Sequence, residues 1–336
     1  METRLVAVDE IPRNLSDSPW NASSVSLLPD RLGRPYSAAA WHSRVVLATR
    51  DGTVLGMLPV QRPKAGAGPG PVDPAALVPE LFDGPAHAHL FLGGCTDLVS
   101  GAAVAAGLPP AEAAAVRRAL VAAGREAALA EGLVPIALYV RDEEMGAFPA
   151  EDGWRAERIA QVSTIHVPAD DAAYLAGLGA SGRRTVLKDR RAAADCGLAT
   201  AVRPAAEVVA EAAELVGQVK RRHGLADPVR LIRMRLAQWA ADPVGERIAF
   251  AVSGPDGLLA VTLACVVGPR LEIYETGLVD EHEHRHEAYA ESLFQAPVRH
   301  ALAHGLTAVD LGLDAETPKT RRGAVLSPVW AVGPKP

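Results

Sequence analysis

Alternating apolar and polar residues mark two stretches that should each form a pair of strands. Residues 44–62 alternate on either side of Asp51-Gly52, and residues 247–266 alternate around Asp256-Gly257. Asp-Gly between two alternating runs is typical of a tight hairpin turn. The pattern therefore predicts one β-hairpin in each half of the chain.

Apolar residues at helical spacing mark two further stretches, each followed by a short apolar run. Residues 109–132 begin with proline and end at Gly132, and residues 286–305 end at Gly305. Glycine after the last helical turn is a common helix C-terminus. Pro297 lies inside the second stretch and should kink or split that helix. Each helix should then lead into a strand.

The order of hairpin, strand, helix and strand therefore occurs twice, which predicts an internal repeat. A Gly/Pro-rich segment, residues 63–88, is inserted in the first copy and should be a loop. We predict an α/β fold, more exactly mixed α+β, with tandem domains at 1–165 and 166–336. Each domain should be a central mixed sheet flanked by helices, and the second should begin with a basic helical connector at 170–197.

Composition narrows the class of protein. The chain has 336 residues, of which 49% are hydrophobic, yet no apolar run is long enough to span a membrane. The N-terminus has charges where an export signal needs an apolar segment. Three cysteines without metal-ligand spacing indicate reduced thiols and a cytoplasmic protein. The net charge of -6 argues against a surface that binds nucleic acid over its whole extent.

Candidate chemistry is concentrated in residues 271–323, which read as strand, helix, strand and cationic loop. Alternation along the first strand places Tyr274 and Glu275 on opposite faces. Glu275 or Asp310 is the candidate proton acceptor, and Tyr274 or Tyr289 the candidate proton donor or substrate-orienting group. The alternatives are a core role for Tyr274, a solvent-facing Glu275 and an Asp310 that caps a turn. The loop cations predicted to bind a phosphate or carboxylate are Lys319, Arg321 and Arg322.

A second group of cations lies on the connector helix. Arg184, Lys188 and Arg191 share one helix face, and Arg183 flanks them. Such a stripe suits phosphate groups, and its alternative is a solvated helix face. We therefore assign Arg183, Arg184 and Lys188 to substrate or phosphate binding.

Three histidines alternate before the second helix of the repeat. A metal site at His282, His284 and His286 is one interpretation, and an exposed polar loop is the other. Because no Cys or Asp supports them in sequence, the loop interpretation is favoured and no metal is predicted.

Three segments resemble a known protein family. They are the Arg-rich connector at 174–198, the strand and helix segments at 272–281 and 286–312, and a closing Lys-x-x-Arg-Gly segment within 316–330. Together they resemble the tandem GNAT proteins, specifically the Fem-like and peptidoglycan biosynthesis/recognition branch. The resemblance covers residues 160–332, and residues 1–160 share only the order of elements.

The resemblance implies two GNAT-like domains and transfer of an aminoacyl group from aminoacyl-tRNA to an amine, on a small molecule or a peptide. It implies direct attack by the amine, no covalent enzyme intermediate and no tightly bound cofactor. The glycine-rich acetyl-CoA signature of single-domain GNATs is absent, since residues 278–289 contain no glycine. The alternatives are an acyl-CoA-dependent N-acyltransferase acting on a small amine and a non-catalytic protein that binds a ligand or partner.

Overall fold

The structure is a computed structural model that describes residues 1–12, 15, 20–28, 40–64, 72–82, 84–94, 97–225, 227–255 and 257–335. Part of the inserted loop predicted at 63–88, as well as Cys95 and Asp256, lies outside these residues. The chain divides into two compact units. Unit 1 comprises Met1–Ala160 with Pro328–Pro336, and unit 2 comprises Gln161–Ser327.

Unit 1 contains mostly strands and one long helix. Its strands are β1 (Glu2–Ala7), β2 (Trp20–Asn21), β3 (Trp41–Arg50), β4 (Thr53–Pro63), β5 (His89–Leu92), β6 (Ala103–Ala105) and β7 (Val134–Arg141). Its helices are α1 (Pro74–Leu77) and α2 (Pro110–Ala130). The strand β8 (Trp154–His166) begins in unit 1 and ends in unit 2.

The sheet of unit 1 is mixed. β3 pairs antiparallel with β1 and β4, β4 pairs antiparallel with β5, and β5 pairs parallel with β7. The predicted turn joins β3 and β4, with φ of 49° at Asp51 and 78° at Gly52. The last strand, β14 (Val325–Pro334), pairs antiparallel with β7 from Val329 onward, although the sequence placed this segment in the second domain.

Unit 2 contains the remaining elements. Its strands are β9 (Ala199–Pro204), β10 (Glu246–Gly254), β11 (Gly257–Val267), β12 (Arg270–Leu278) and β13 (Ala308–Asp310). Its helices are α3 (Asp171–Gly177), α4 (Ala180–Asp195), α5 (Val209–Arg222), α6 (Val229–Ala240), α7 (Arg285–Ala290), α8 (Ala296–Ala303) and α9 (Glu316–Thr320).

The sheet of unit 2 repeats the order found in unit 1. β10 and β11 form an antiparallel hairpin, β11 pairs antiparallel with β12, and β12 pairs parallel with β13. A helical segment connects the two parallel strands in each unit, as a parallel crossover requires. The predicted mixed α/β repeat is therefore confirmed at the level of strand order.

The helical segment between β12 and β13 is interrupted, as Pro297 predicted. A π-helical turn, Glu291–Gln295, separates α7 from α8, and Pro297 is the second residue of α8. Proline lacks the N–H that would continue the preceding α-helical hydrogen bonds, and π turns often occur at such irregularities. The interruption places Glu291 and Gln295 inside the fold, where both are buried.

Two packing features position the elements of unit 2. A core cluster joins Tyr174 of α3 and Val186 of α4 to Phe250, Leu271 and Phe294. On β12, Gly277 lies so close to α5 that an added Cβ would be 2.8 Å from the backbone nitrogen of Val216.

Within the described residues, no helix is long and apolar enough to cross a membrane.

Candidate active site

Two of the predicted catalytic residues contact the same arginine. Arg235 of α6 donates a hydrogen bond from Nη1 to the hydroxyl of Tyr274 at 2.9 Å. Its Nη2 donates to Oε2 of Glu275 and forms an ion pair with that carboxylate. The Arg235 and Glu275 side chains are 20% and 18% exposed. Arg235, Tyr274, Glu275 and Trp239 are called the Arg235 cluster below.

A β-bulge explains why adjacent residues of β12 point to one arginine. Leu263 of β11 pairs with Glu275, but the next residue, Ala264, pairs with Ile273. Tyr274 is therefore the extra residue of a bulge, and a bulge redirects the side chains around it. The predicted placement of Tyr274 and Glu275 on opposite faces is wrong for this reason.

Trp239 completes the cluster from one turn further along α6. Its ring stacks on Tyr274, with centroids 4.4 Å apart and planes inclined by 6°. Trp239 is itself 2% exposed, and the Arg247 guanidinium lies 4.9 Å from its ring centroid. Stacked aromatic rings fix the orientation of the Tyr274 hydroxyl. Tyr274 thus packs against Trp239 and also accepts a hydrogen bond from Arg235.

The sequence patterns did not identify Arg235 and Trp239 as site residues. A signal was present, because Ile232, Leu236 and Trp239 form the apolar face of α6 and all three are buried. Arg235 lies beside that face, four residues before Trp239. An arginine next to the buried face of an amphipathic helix indicates a partner inside the fold, but the sequence alone does not name that partner.

The charge on Arg235 is secured by its neighbours. Burial opposes the charged form, but Tyr274 and Glu275 outweigh it, so the pKa of Arg235 is raised above its ordinary value. The cluster therefore presents a fixed guanidinium beside a carboxylate and a phenol. This arrangement can bind a polar group and accept or donate a proton.

Asp310 lies apart from this cluster. It ends β13, is 2% exposed and accepts a hydrogen bond from the Gly312 N–H at 2.9 Å. β13 pairs with β12 only as far as Glu272, opposite Asp310. Glu275 is three residues further along β12, a distance of about 10 Å at about 3.3 Å per residue. The observed hydrogen bond matches the alternative role of Asp310, in which its side chain caps the turn after β13.

Lys319 supports the same loop from α9. Its side chain is 3% exposed, and Nζ donates to the carbonyls of Gly312 at 3.1 Å and Leu313 at 2.6 Å. Burial lowers the pKa of Lys319 to about 8, against the opposing influence of Asp314 and Asp310. The ammonium therefore holds the loop after β13 and loses its proton at mildly alkaline pH.

Two other predicted cations make contacts within the fold. Arg322 donates from Nε to Asp189 at 2.8 Å, and its guanidinium lies 4.5 Å from the ring centroid of Phe294. Arg183 donates to backbone carbonyls of Leu175, Ala176 and Leu178 at the end of α3. Carbonyls at a helix C-terminus attract cations. Both arginines thus join elements of unit 2.

The remaining predicted residues differ in exposure. Arg184, Lys188 and Arg321 are exposed. Tyr289 of α7 is partly buried and meets the Phe294 ring edge-on, with centroids 5.7 Å apart. Burial raises the pKa of Tyr289, although Arg322 lies near enough to oppose this. The exposed cations are the ones available to a large charged ligand.

A pocket of about 620 Å³ opens elsewhere in unit 2. It is lined by Ala169, Asp170, Asp171, Arg190, Glu291, Arg299, Leu302 and Ala303. Arg190 donates to both carboxylate oxygens of Asp171, at 2.8 and 2.6 Å, and Arg299 pairs with Glu291. Four of its charged side chains thus form two ion pairs, and among the described residues none of the predicted site residues lines it.

Comparisons with known proteins identify the fold. No model of a known family and no curated protein matches the sequence significantly. The structure is similar to FemX, with a TM-score of 0.63, 13% identity and coverage of 98% of this chain and 97% of that one. It is similar to L-PGS from Bacillus licheniformis, with a TM-score of 0.57, 11% identity and coverage of 96% and 90%.

A third likeness concerns the tandem arrangement. A tandem GNAT protein from the clavulanic acid biosynthesis pathway matches with a TM-score of 0.50, 15% identity and coverage of 99% of this chain and 98% of that one. At these identities the likenesses establish the fold and no more. The chain therefore has a tandem GNAT fold that is similar to the fold of FemX.

Proposed function

We propose that the protein is an amide-forming acyltransferase that works at the Arg235 cluster. The observation that carries this proposal is the bulge of β12, which directs Tyr274 and Glu275 to one guanidinium just beyond the point where β12 and β13 stop pairing. Open sheets offer polar groups where parallel strands end. Tyr274 and Glu275 lie on β12, which is one of the strands that the repeat duplicates.

The proposed reaction needs no enzyme nucleophile. The acceptor amine attacks the carbonyl carbon of the donor, the C–N bond forms, and the C–O or C–S bond to the carrier breaks. Glu275 accepts the proton that the amine loses and passes it to the departing oxygen or sulfur, so that the carrier leaves as an alcohol or thiol. Arg235 orients Glu275, while the Tyr274 hydroxyl donates to the developing oxyanion.

The preferred donor is aminoacyl-tRNA. Arg184 and Lys188 are exposed on one face of α4, and Arg321 is also exposed. Exposed cations in a row suit phosphates, and a local patch is sufficient in a protein of negative net charge. FemX and L-PGS are neighbours in fold. In this proposal Arg183, Arg322 and Lys319 fix the surrounding loops, and the acceptor is a small amine or peptide in the cytoplasm.

The test is a donor assay on the purified protein. Total tRNA charged with radiolabelled amino acids, and separately acetyl-CoA and longer acyl-CoAs, are incubated with a panel of amines. The wild type is compared with Glu275→Gln, Arg235→Met and the matched control Glu211→Gln, whose side chain is exposed on α5. We expect label to move into an RNase-resistant amide, at least tenfold more slowly in the two cluster variants.

The outcomes separate the alternatives. Thiol release from acyl-CoA without RNA would replace the tRNA donor with a CoA donor and keep the acyltransferase. Equal rates in Glu275→Gln and Glu211→Gln would remove the Arg235 cluster from the mechanism. No transfer from either class of donor would favour the non-catalytic ligand-binding or partner-binding protein.

A further inference from the structure

A thiol, an imidazole and a carboxylate from separate parts of unit 2 come together at one end of α4. Cys196 directly follows α4, His284 immediately precedes α7, and Glu287 lies in the first turn of α7. One ligand atom from each residue lies within 4.8 Å of the other two. These are the three donor types that zinc binds in proteins.

The fold brings a cysteine close to the histidines that precede α7. The histidines before α7 had no cysteine near them in sequence, which favoured a polar loop. Tertiary packing brings Cys196 to His284, and the three-residue spacing of His284 and Glu287 places both on one side of the first helical turn. Cys196 is therefore close to His284 only in the folded chain.

The surroundings favour a cation. The Oε2 atom of Glu287 is buried and has no hydrogen-bond partner among the described residues. A buried carboxylate oxygen without a donor carries a desolvation cost that a cation would offset. Cys196 itself is a free cysteine and partly exposed.

We propose that Cys196, His284 and Glu287 form a binding site for a divalent transition-metal ion, of which Zn²⁺ is the expected one. A mixed set of sulfur, nitrogen and oxygen donors selects Zn²⁺ over Mg²⁺ or Ca²⁺, which prefer oxygen alone. In a tetrahedral zinc site such donors lie about 3.3–3.6 Å apart.

Three protein ligands leave a fourth position. His282 lies beside His284, since their ring centroids are 5.5 Å apart and His282 Nδ1 accepts the His284 N–H at 3.1 Å. The other ring nitrogen of His282, or a water molecule, completes the tetrahedron. A bound ion would join α4 to the segment that follows β12, and this role is independent of the acyl transfer proposed above.

The test uses Co²⁺ as a spectroscopic probe. Metal-free protein is titrated with Co²⁺, and a thiolate-to-cobalt charge-transfer band is followed to its endpoint before Zn²⁺ is added. We expect one ion per chain, a charge-transfer band and displacement by Zn²⁺. Cys196→Ser should abolish the band, and Glu287→Gln should weaken binding by at least about 100-fold. The matched control is His286→Ala, an exposed neighbour outside the site.

Thermal unfolding without metal shows whether each variant is folded. Zn²⁺ should raise the Tm of wild type and His286→Ala but not that of Cys196→Ser, because only a folded site holds the ion. The proposal is overturned if Cys196→Ser keeps the band, or if wild type and Cys196→Ser bind Zn²⁺ equally well. It is also overturned if the wild type binds no Co²⁺.

Discussion

Arg235→Met removes a guanidinium that contacts both Tyr274 and Glu275. Exposed ion pairs contribute about 0–1 kcal/mol, whereas removing one partner of a fully buried pair costs about 3–5 kcal/mol. With the two charged side chains 20% and 18% exposed, this pair lies between those limits. We expect the free energy of unfolding to fall by about 2 kcal/mol. Methionine keeps most of the aliphatic length, so the loss reports the charge and its hydrogen bonds.

Urea unfolding followed by circular dichroism measures this change, with the m-value as a check on the denatured state. The matched control is Arg233→Met, the same substitution at an exposed position of the same helix. We expect that control to stay within about 0.5 kcal/mol of wild type. A double-mutant cycle with Glu275→Gln measures the interaction energy between Arg235 and Glu275. The double variant should be about 1–2 kcal/mol more stable than the sum of the two single losses predicts.

Two results would refute this reasoning. If Arg235→Met and Arg233→Met unfold alike, the contacts of Arg235 do not stabilise unit 2. If the single losses simply add in the double variant, Arg235 and Glu275 do not interact in solution. In either case Arg235 would not orient Glu275.

Three further predictions follow from other contacts. Burial lowers the pKa of Lys319 from its ordinary value of 10.5 to about 8. Below pH 8 the folded state therefore carries the cost of a buried charge, and this cost disappears as the pH rises to 10.5. Between pH 8 and pH 10.5 the free energy of unfolding of wild type should rise by about 3 kcal/mol relative to Lys319→Met, measured by urea unfolding at these two pH values. Gly277→Ala should destabilise unit 2 by about 1–3 kcal/mol in the same assay because its Cβ would meet the α5 backbone, whereas Gly179→Ala, with nothing within 4 Å, should not. Arg184→Glu with Lys188→Glu should weaken tRNA binding and make the negative slope of log affinity against log salt shallower by about 1–2. Arg118→Glu with Arg158→Glu, at exposed cations of unit 1, should leave that slope unchanged, and equal effects of the two pairs would exclude a specific patch.

Local signals identified most of the elements. Asp51-Gly52 forms its hairpin turn because both residues adopt positive φ, which Gly takes readily and Asp tolerates. Gly132 and Gly305 end their helices at positive φ, and Pro297 interrupts the helix that contains it. Each of these outcomes depends on the backbone preference of one or two residues, which is why the sequence sufficed.

The candidate site was only partly predictable. Tyr274 and Glu275 were found because polar residues on an apolar strand are conspicuous, but their common partner Arg235 was not. A bulge adds one residue to one strand, and the alternation of a single strand does not reveal the register of its neighbour. The sequence predicts Lys319 and Arg322 as ligand-binding cations; in the folded chain Lys319 also donates to two carbonyls and Arg322 to Asp189.

By itself, the sequence determined where strands, turns and helix ends occur, and that one arrangement is used twice, because these depend on backbone preferences and hydrophobic spacing. Only the tertiary structure decided which charges meet. Arg235 with Glu275, and Cys196 with His284, are pairs whose members lie on separate elements. Such contacts depend on strand register and helix packing, which many distant residues set together, so no local pattern in the chain specifies them.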